Sequence, residues 1–138
     1  MMDSRSIRNL EGVHPDLVRV AELAFKSIAP DSSLSFRVTE GVRSKERQQK
    51  LFADNKSKTL KSRHVPESNA CGLSCAIDIV AIVGGQVSWE MKYYEVLAFY
   101  FKAAAAEINV PITWGGDWKT FKDGPHFQLS EDHYPLSK

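Results

Sequence analysis

Apolar and polar positions follow two different periods along the first half of the chain. In VHPDLVRVAELAFKSIAP (13–30) apolar side chains recur at helical spacing, which predicts an amphipathic helix that ends before the final proline. LSFRVTEGV (34–42) alternates apolar and polar side chains, as a half-buried strand does. SKERQQKLFADN (44–55) predicts a second helix, with Leu51 and Phe52 on its buried side.

The second half of the chain begins after a polar, turn-rich segment, residues 55–74, which we interpret as a long loop. Long ordered loops in compact domains are often functional. The elements that follow are apolar enough to be buried: strands over 76–83, 111–116 and 124–129, and a long helix over 89–110. This order predicts an α+β fold, a small antiparallel sheet flanked by helices, in one domain over residues 1–138.

Composition and charge exclude several classes of protein. The 18 lysines and arginines nearly balance the 17 aspartates and glutamates, which argues against a dedicated nucleic-acid binder. No apolar run is long enough to span a membrane or to act as a secretory signal, so we expect synthesis in the cytoplasm without an export signal. Two cysteines are too few for a disulfide scaffold.

One aspartate in an apolar strand gives the first indication of chemistry. Asp78 is the only charged residue in CAIDIVAIV, and burying a carboxylate is costly unless a cation pairs with it. Arg43, Arg63 or a metal ion are the candidates for that cation. We otherwise expect Arg63 to be solvated or paired with an acidic neighbour. His64 precedes the strand by a loop and is the nearest candidate metal ligand.

Two histidines and two aspartates together predict a catalytic zinc site. A catalytic zinc takes three protein ligands and keeps one position open for water, and His64, Asp78 and His126 supply three suitable groups. Asp123, three residues before His126, supplies a carboxylate that can accept the proton of a water molecule. Either histidine alone is more typical of a structural residue. Asp117, in GGDW, is a reserve ligand.

A cysteine-ligated metal is the competing interpretation. Cys71 and Cys75 form one pair, to which His64 could be added. Structural zinc sites usually contain two such pairs, or one pair with two histidines, so this set is one ligand short. We therefore favour two free thiols or a local disulfide.

Four short motifs resemble one known family. They are S-x-H (62–64), A-I-D (76–78), W-G-G-D-W (114–118) and D-x-x-H (123–126). In this order they resemble the zinc peptidases that cleave the stem peptides of bacterial cell walls. That family includes D-Ala-D-Ala carboxypeptidases and dipeptidases, and the L-alanyl-D-glutamate peptidases of tailed phages. The resemblance covers nearly the whole chain and is nearest to single-domain phage endolysins. It implies the D-Ala-D-Ala peptidase (Hedgehog-like) fold, with one zinc ion on the sheet.

The resemblance implies a role for seven side chains: His64, Asp78 and His126 as zinc ligands, Asp123 as general base, Arg43 as the group that holds the substrate and polarises its carbonyl, and Gln48 and Ser62 as pocket-lining, substrate-binding residues. One departure concerns spacing, because His64 and Asp78 lie 14 positions apart, further than in the family motif. Ser74 stands where the family has glycine. We expect the extra residues to form a bulge between the ligands, since loops lengthen at small entropic cost.

The function implied by the resemblance is hydrolysis of the L-Ala-D-Glu bond of the peptidoglycan stem by a phage endolysin during host cell lysis. The alternatives are a D-Ala-D-Ala carboxypeptidase or dipeptidase, and a non-catalytic, zinc-containing binding module. As an endolysin, the protein is expected to be a monomer without a wall-binding domain, to insert into no membrane and to bind no nucleic acid. It would depend on a phage holin to reach the periplasm.

Overall fold

The structure is a computed structural model that describes residues 2–138, and within them it contains four α-helices and five strands. The helices are α1 (Ser4–Asn9), α2 (Pro15–Ser27), α3 (Lys45–Ala53) and α4 (Met91–Glu107). The strands are β1 (Leu34–Glu40), β2 (Ala76–Val83), β3 (Gln86–Ser88), β4 (Ile112–Trp114) and β5 (His126–Leu129). The predicted α+β fold is confirmed.

The strands form one antiparallel sheet in the order β1-β2-β5-β4, and β3 pairs with the end of β2. The register between the two central strands places Asp78 of β2 directly opposite His126 of β5. On the other side of β2, Glu40 lies opposite Asp78, after an irregularity that follows Val38. Side chains directly opposite each other in a sheet are neighbours, so the register itself brings the charged groups together.

The hydrophobic core lies between the sheet and the long helix α4, which packs against β1, β2 and β4, and α2 packs in turn against α4. Alternate residues of β1, Phe36 and Val38, face this core as the period-two pattern predicts. Phe101 of α4 stacks on Phe127 of β5, with ring centroids 4.1 Å apart. Burial of this apolar surface holds the sheet rigid beneath the site.

Two features of the helices differ from the sequence-based expectation. Helix α1 is not predicted from the pattern; Asp3 caps it by accepting a hydrogen bond from the Ser6 backbone amide at 2.9 Å. In α3 the predicted buried side is wrong, because Phe52 is 43% exposed and Gln48 is the buried residue. Helix α3 lies beside a polar loop, so its inward side needs a hydrogen-bonding group there.

The long loop before β2 is organised by Arg63 and Asn69, both buried. The Arg63 guanidinium donates to Asn69 Oδ1 and to the backbone carbonyls of Leu129 and Tyr134, at 2.6–3.0 Å. The Asn69 amide donates to the Arg63 and Leu73 carbonyls. The expectation that Arg63 is solvated or paired with an acid is wrong, since it forms no ion pair among residues 2–138. Carbonyl dipoles take the place of a carboxylate.

No helix in the described part of the chain has both the length and the apolar character needed to cross a membrane.

Candidate metal centre

Three potential ligands converge at the centre of the sheet: His64 from the long loop, Asp78 from β2 and His126 from β5. One ligand atom from each lies within 4.8 Å of the others. His64 Nε2 and His126 Nδ1 are both 3.3 Å from the same carboxylate oxygen, Asp78 Oδ1. The two imidazole rings meet edge to face, with centroids 5.2 Å apart. These are the three residues that the sequence predicts as metal ligands.

The orientation of His64 is set by a backbone carbonyl. Its Nδ1 lies 2.9 Å from the Gly41 oxygen, and because a carbonyl only accepts, Nδ1 must carry the proton. The lone pair is therefore on Nε2, which is buried and has no hydrogen-bond partner among residues 2–138. A buried nitrogen that faces a carboxylate oxygen without a hydrogen-bond partner is suited to hold a cation between the two atoms.

His126 is oriented by a side chain that the sequence analysis does not single out. Gln128 Oε1 lies 2.8 Å from His126 Nε2, so Nε2 donates to this amide oxygen and Nδ1 is left to face Asp78. Gln128 is two positions after His126 on β5 and hence on the same face of the sheet. That period-two spacing, HFQ, is the signal in the sequence that identifies it. Both imidazoles thus have one nitrogen anchored by protein and one directed to the centre.

The charges at the centre are strongly coupled. Burial by itself would raise the pKa of Asp78, but the hydrogen bonds and charges of His126 and His64 lower that pKa well below its usual range. Burial by itself would lower the pKa of His126, but the Asp78 carboxylate outweighs it and raises the pKa. Asp78 therefore stays ionised, and the site favours positive charge between the imidazoles. A divalent cation held by the two imidazoles and the carboxylate would supply that charge.

Arg43 lies against the centre without being one of the three converging ligands. Its Nη2 pairs with Glu40 Oε1 at 2.5 Å and lies 3.6 Å from Asp78 Oδ2, while its Nη1 donates to Gln48 Oε1 at 2.9 Å. The Arg43 backbone amide donates to the His64 carbonyl at 3.0 Å. Of the two arginines considered as a cation for Asp78, the structure places Arg43 beside it and directs Arg63 elsewhere.

The two predicted pocket residues occupy different positions. Ser62 lines the cleft above the centre, and its hydroxyl accepts from the His64 backbone amide at 3.2 Å. Gln48 is buried behind Arg43 and does not line that cleft. The Gln48 amide donates to Ser57 Oγ at 2.7 Å and to the Thr59 carbonyl at 2.5 Å. Its contacts orient Arg43 and the adjoining loop.

Asp123 also lines the cleft, at the turn that leads into β5. Burial raises the pKa of its carboxyl group, and the negative charge of Asp78 raises it further. The turn is held by two backbone hydrogen bonds, from the Asp123 amide to the Gly115 carbonyl and from the His126 amide to the Asp123 carbonyl. A Cβ on Gly115 would lie 2.4 Å from the Asp123 carbonyl oxygen, so the first glycine of WGGD permits this close approach.

The remaining candidates lie outside the centre. Asp117, the reserve ligand, is exposed and pairs with Lys102 at 2.7 Å. Cys71 and Cys75 are free thiols with their sulfurs 3.7 Å apart, and neither belongs to the converging ligand set. The interpretation of the cysteines as free thiols agrees with this arrangement.

The centre lies in a cleft of about 1060 Å³. The chain matches the model of a protein family described as phage L-alanyl-D-glutamate peptidase over residues 1–130. The chain belongs to this family. The family predicted from the four motifs is thereby confirmed, and with it the class of the protein as a peptidase.

Named relatives agree with this assignment. Peptidoglycan L-alanyl-D-glutamate endopeptidase CwlK of Bacillus subtilis (strain 168) is 28% identical over 125 residues, which are 85% of this chain and 73% of CwlK. The L-alanyl-D-glutamate peptidase of Listeria phage A118 is 28% identical over 131 residues, 95% of this chain but only 43% of the phage protein. This chain thus spans less than half the length of the phage protein.

A solved structure shares both fold and sequence. The crystal structure of Serratia marcescens L-Ala D-Glu endopeptidase ChiX aligns with a TM-score of 0.83 at 46% identity, over 96% of this chain and 91% of ChiX. A likeness of this extent places the same sheet and helices in both proteins.

Proposed function

We propose that the protein is a zinc-dependent endopeptidase that hydrolyses the L-Ala-D-Glu bond of peptidoglycan stem peptides and acts as a phage endolysin in host cell lysis. CwlK, the Listeria phage peptidase and ChiX are all named as peptidases of the bond between L-Ala and D-Glu. The observation that carries the proposal is the convergence of two oriented imidazole nitrogens on one carboxylate oxygen, in a chain that belongs to this family.

The donor set of the centre fits zinc. Two imidazole nitrogens and one carboxylate oxygen are ligands that catalytic zinc uses, with a further position left for water or substrate. His64, Asp78 and His126 would hold the ion. When bound, zinc supplies a Lewis acid that polarises a carbonyl group and makes water more acidic.

The residues around the centre would transfer the proton and stabilise the developing negative charge. Asp123 accepts a proton from the attacking water and passes it to the leaving amine of D-Glu. The Arg43 guanidinium presents positive charge where the carbonyl oxygen becomes negative, or to a carboxylate of the substrate. Glu40 and Gln48 hold the Arg43 guanidinium in place, and Ser62 lines the cleft beside His64.

Two variants separate metal binding from proton transfer. Asp123→Ala should abolish turnover but retain one zinc ion per chain, whereas His64→Ala should lose the metal. Zinc content measured by elemental analysis, together with cleavage of purified peptidoglycan, distinguishes these outcomes. Loss of zinc from Asp123→Ala would contradict its role as base, and full activity of His64→Ala would remove that residue from the centre.

The bond cleaved is identified from the products. Mass spectrometry of digested peptidoglycan should find L-Ala left on the glycan strands and released peptides that begin with D-Glu. Release of only terminal D-Ala would instead identify a D-Ala-D-Ala carboxypeptidase. Binding to peptidoglycan without any cleavage would identify a non-catalytic module.

The proposed substrate lies in the periplasm, so the protein has to cross the inner membrane to reach it. The protein acts as a monomer on peptidoglycan of the periplasm, after a phage holin has opened the inner membrane. Expression in a Gram-negative host should therefore cause lysis only when a holin or a permeabilising agent is also present. Lysis without either would contradict this route.

A further inference from the structure

The charges of the chain are divided unevenly between the cleft and the rest of the molecule. Eight of the 18 lysines and arginines line the cleft, but only three of the 17 aspartates and glutamates do. Two of those three acids are Asp78, which belongs to the centre, and Asp123, the proposed base. The cleft thus has a net positive charge and the rest of the chain a net negative one, although the two nearly cancel overall. A bound metal cation would increase the positive charge of the cleft.

Five of these cations are lysines on two short segments. The first lip, residues 56–61, contributes Lys56, Lys58 and Lys61, and the second lip, residues 118–122, contributes Lys119 and Lys122. The two segments face each other, because the Lys58 ammonium lies 5.1 Å from the centroid of the Phe121 ring. A molecule in the cleft therefore has lysines on both sides.

Most of these lysines have no acidic partner. Among residues 2–138, no carboxylate lies within 4.0 Å of the ammonium groups of Lys56, Lys58, Lys119 and Lys122. Outside the cleft, in contrast, Lys92 pairs with Glu90 and Lys102 with Asp117. Lysines left unpaired on opposite walls of one cleft are free to bind an anionic ligand.

The second lip also contains backbone strain. Phe121 has a φ of 52°, a left-handed conformation that is rare for an aromatic residue, and its side chain is 70% exposed. Such a conformation is unfavourable, persists only where the surrounding structure holds it, and is concentrated at active sites and ligand-binding segments. Core packing does not explain it, since the ring lies outside the hydrophobic core. What the conformation does provide is the contact with Lys58 on the first lip.

We propose that the two lips form a subsite that binds the free carboxylates of an acidic peptide, so that the enzyme selects stem peptides with un-amidated D-Glu. This inference rests on the proposed function. D-Glu acylated on its amine keeps two carboxyl groups, of which at most one continues the peptide chain. Where the other carboxyl group is not amidated, the substrate therefore carries a free carboxylate next to the scissile bond. Lysine ammonium groups on flexible stems suit carboxylates whose positions vary along a peptide.

The test compares two synthetic peptides that differ in one group. Both are N-acylated L-Ala-γ-D-Glu peptides, one with the free α-carboxylate of D-Glu and one with an α-carboxamide. The variants are Lys119→Gln combined with Lys122→Gln, and separately Lys58→Gln. Lys26→Gln is the matched control, because Lys26 is exposed on α2 and does not line the cleft. Zinc content and circular dichroism verify that each variant is folded.

The expected result is a loss confined to the acidic peptide. The zinc-loaded wild type should prefer the acidic peptide, with the preference falling as salt is raised. The double variant should lose about 5-fold or more in kcat/KM on this peptide, mainly through KM, with little change on the carboxamide. Lys26→Gln should behave as the wild type does.

Three outcomes would overturn the inference. Equal cleavage of both peptides by the wild type, or equal losses on both by the lip variants, refutes the subsite and leaves the proposed peptidase activity intact. Failure of the wild type to cleave either peptide or intact peptidoglycan refutes the proposed function as well.

Discussion

Replacement of Gln48 by alanine should reduce both stability and activity, although Gln48 does not line the cleft. Its side chain is 1% exposed and makes three hydrogen bonds, with Arg43, Ser57 and the Thr59 carbonyl. A buried hydrogen bond contributes about 1 kcal/mol net to the free energy of unfolding. A buried polar group that has lost its hydrogen-bond partner reduces that free energy by more. Water can reach the partners at Ser57 and Thr59, which are not buried, so the main loss is at Arg43.

The expected loss of stability for Gln48→Ala is about 2 kcal/mol. For a chain of this length, that corresponds to a melting temperature lower by about 6 °C. The Arg43 guanidinium keeps its ion pair with Glu40 but loses the contact that fixes its Nη1. Because a small displacement of a group that acts on the substrate, the role proposed for Arg43, reduces turnover strongly, kcat/KM should fall about 10-fold. Differential scanning calorimetry and a peptidoglycan-turbidity assay measure the two effects.

Gln49→Ala is the matched control for this experiment. Gln49 is the next residue of α3, is exposed and makes no side-chain hydrogen bond among residues 2–138, so its variant should be unchanged. Gln48→Glu keeps an acceptor for Arg43 and removes the amide donor, so it should recover activity more than stability. Equal melting temperatures for Gln48→Ala and Gln49→Ala would refute the reasoning. A raised KM at an unchanged melting temperature would instead indicate that Gln48 contacts substrate.

Two further predictions concern titratable groups. Burial by itself raises the pKa of Glu40, but the hydrogen bonds and charges of Arg43 and Arg47 lower it. The metal-free wild type should therefore lose more stability in urea unfolding between about pH 5 and about pH 3 than Glu40→Gln, and equal losses would contradict this ion pair. Burial also raises the pKa of the Cys75 thiol to about 12, while Cys71 is exposed. Iodoacetamide at about pH 8 should modify only Cys71 until a denaturant is added, as peptide mass mapping can establish.

Patterns of neighbouring residues were sufficient to predict most elements of the fold. The strand over 34–40 and the helix over 91–107 follow from the period of their apolar positions, which depends only on local geometry. The same patterns do not predict helix α1, because it is short and has few apolar positions. The pattern also predicts the wrong buried side for α3. That side packs against a polar loop and not against the hydrophobic core, so its buried residue is Gln48.

The sequence alone determined which side chains are candidates for the metal centre. An aspartate within an apolar strand is energetically costly unless a cation pairs with it, and a histidine at the start of another strand is a suitable second ligand. Only the tertiary structure decided which atoms face the centre. The Gly41 carbonyl selects Nε2 of His64, and Gln128 selects Nδ1 of His126. Likewise, only folding places Gln48 behind Arg43 and sets lysines on opposite walls of one cleft. Such contacts join residues that are distant in the chain. The spacing of apolar positions along a helix or strand reports only local geometry and therefore does not predict them.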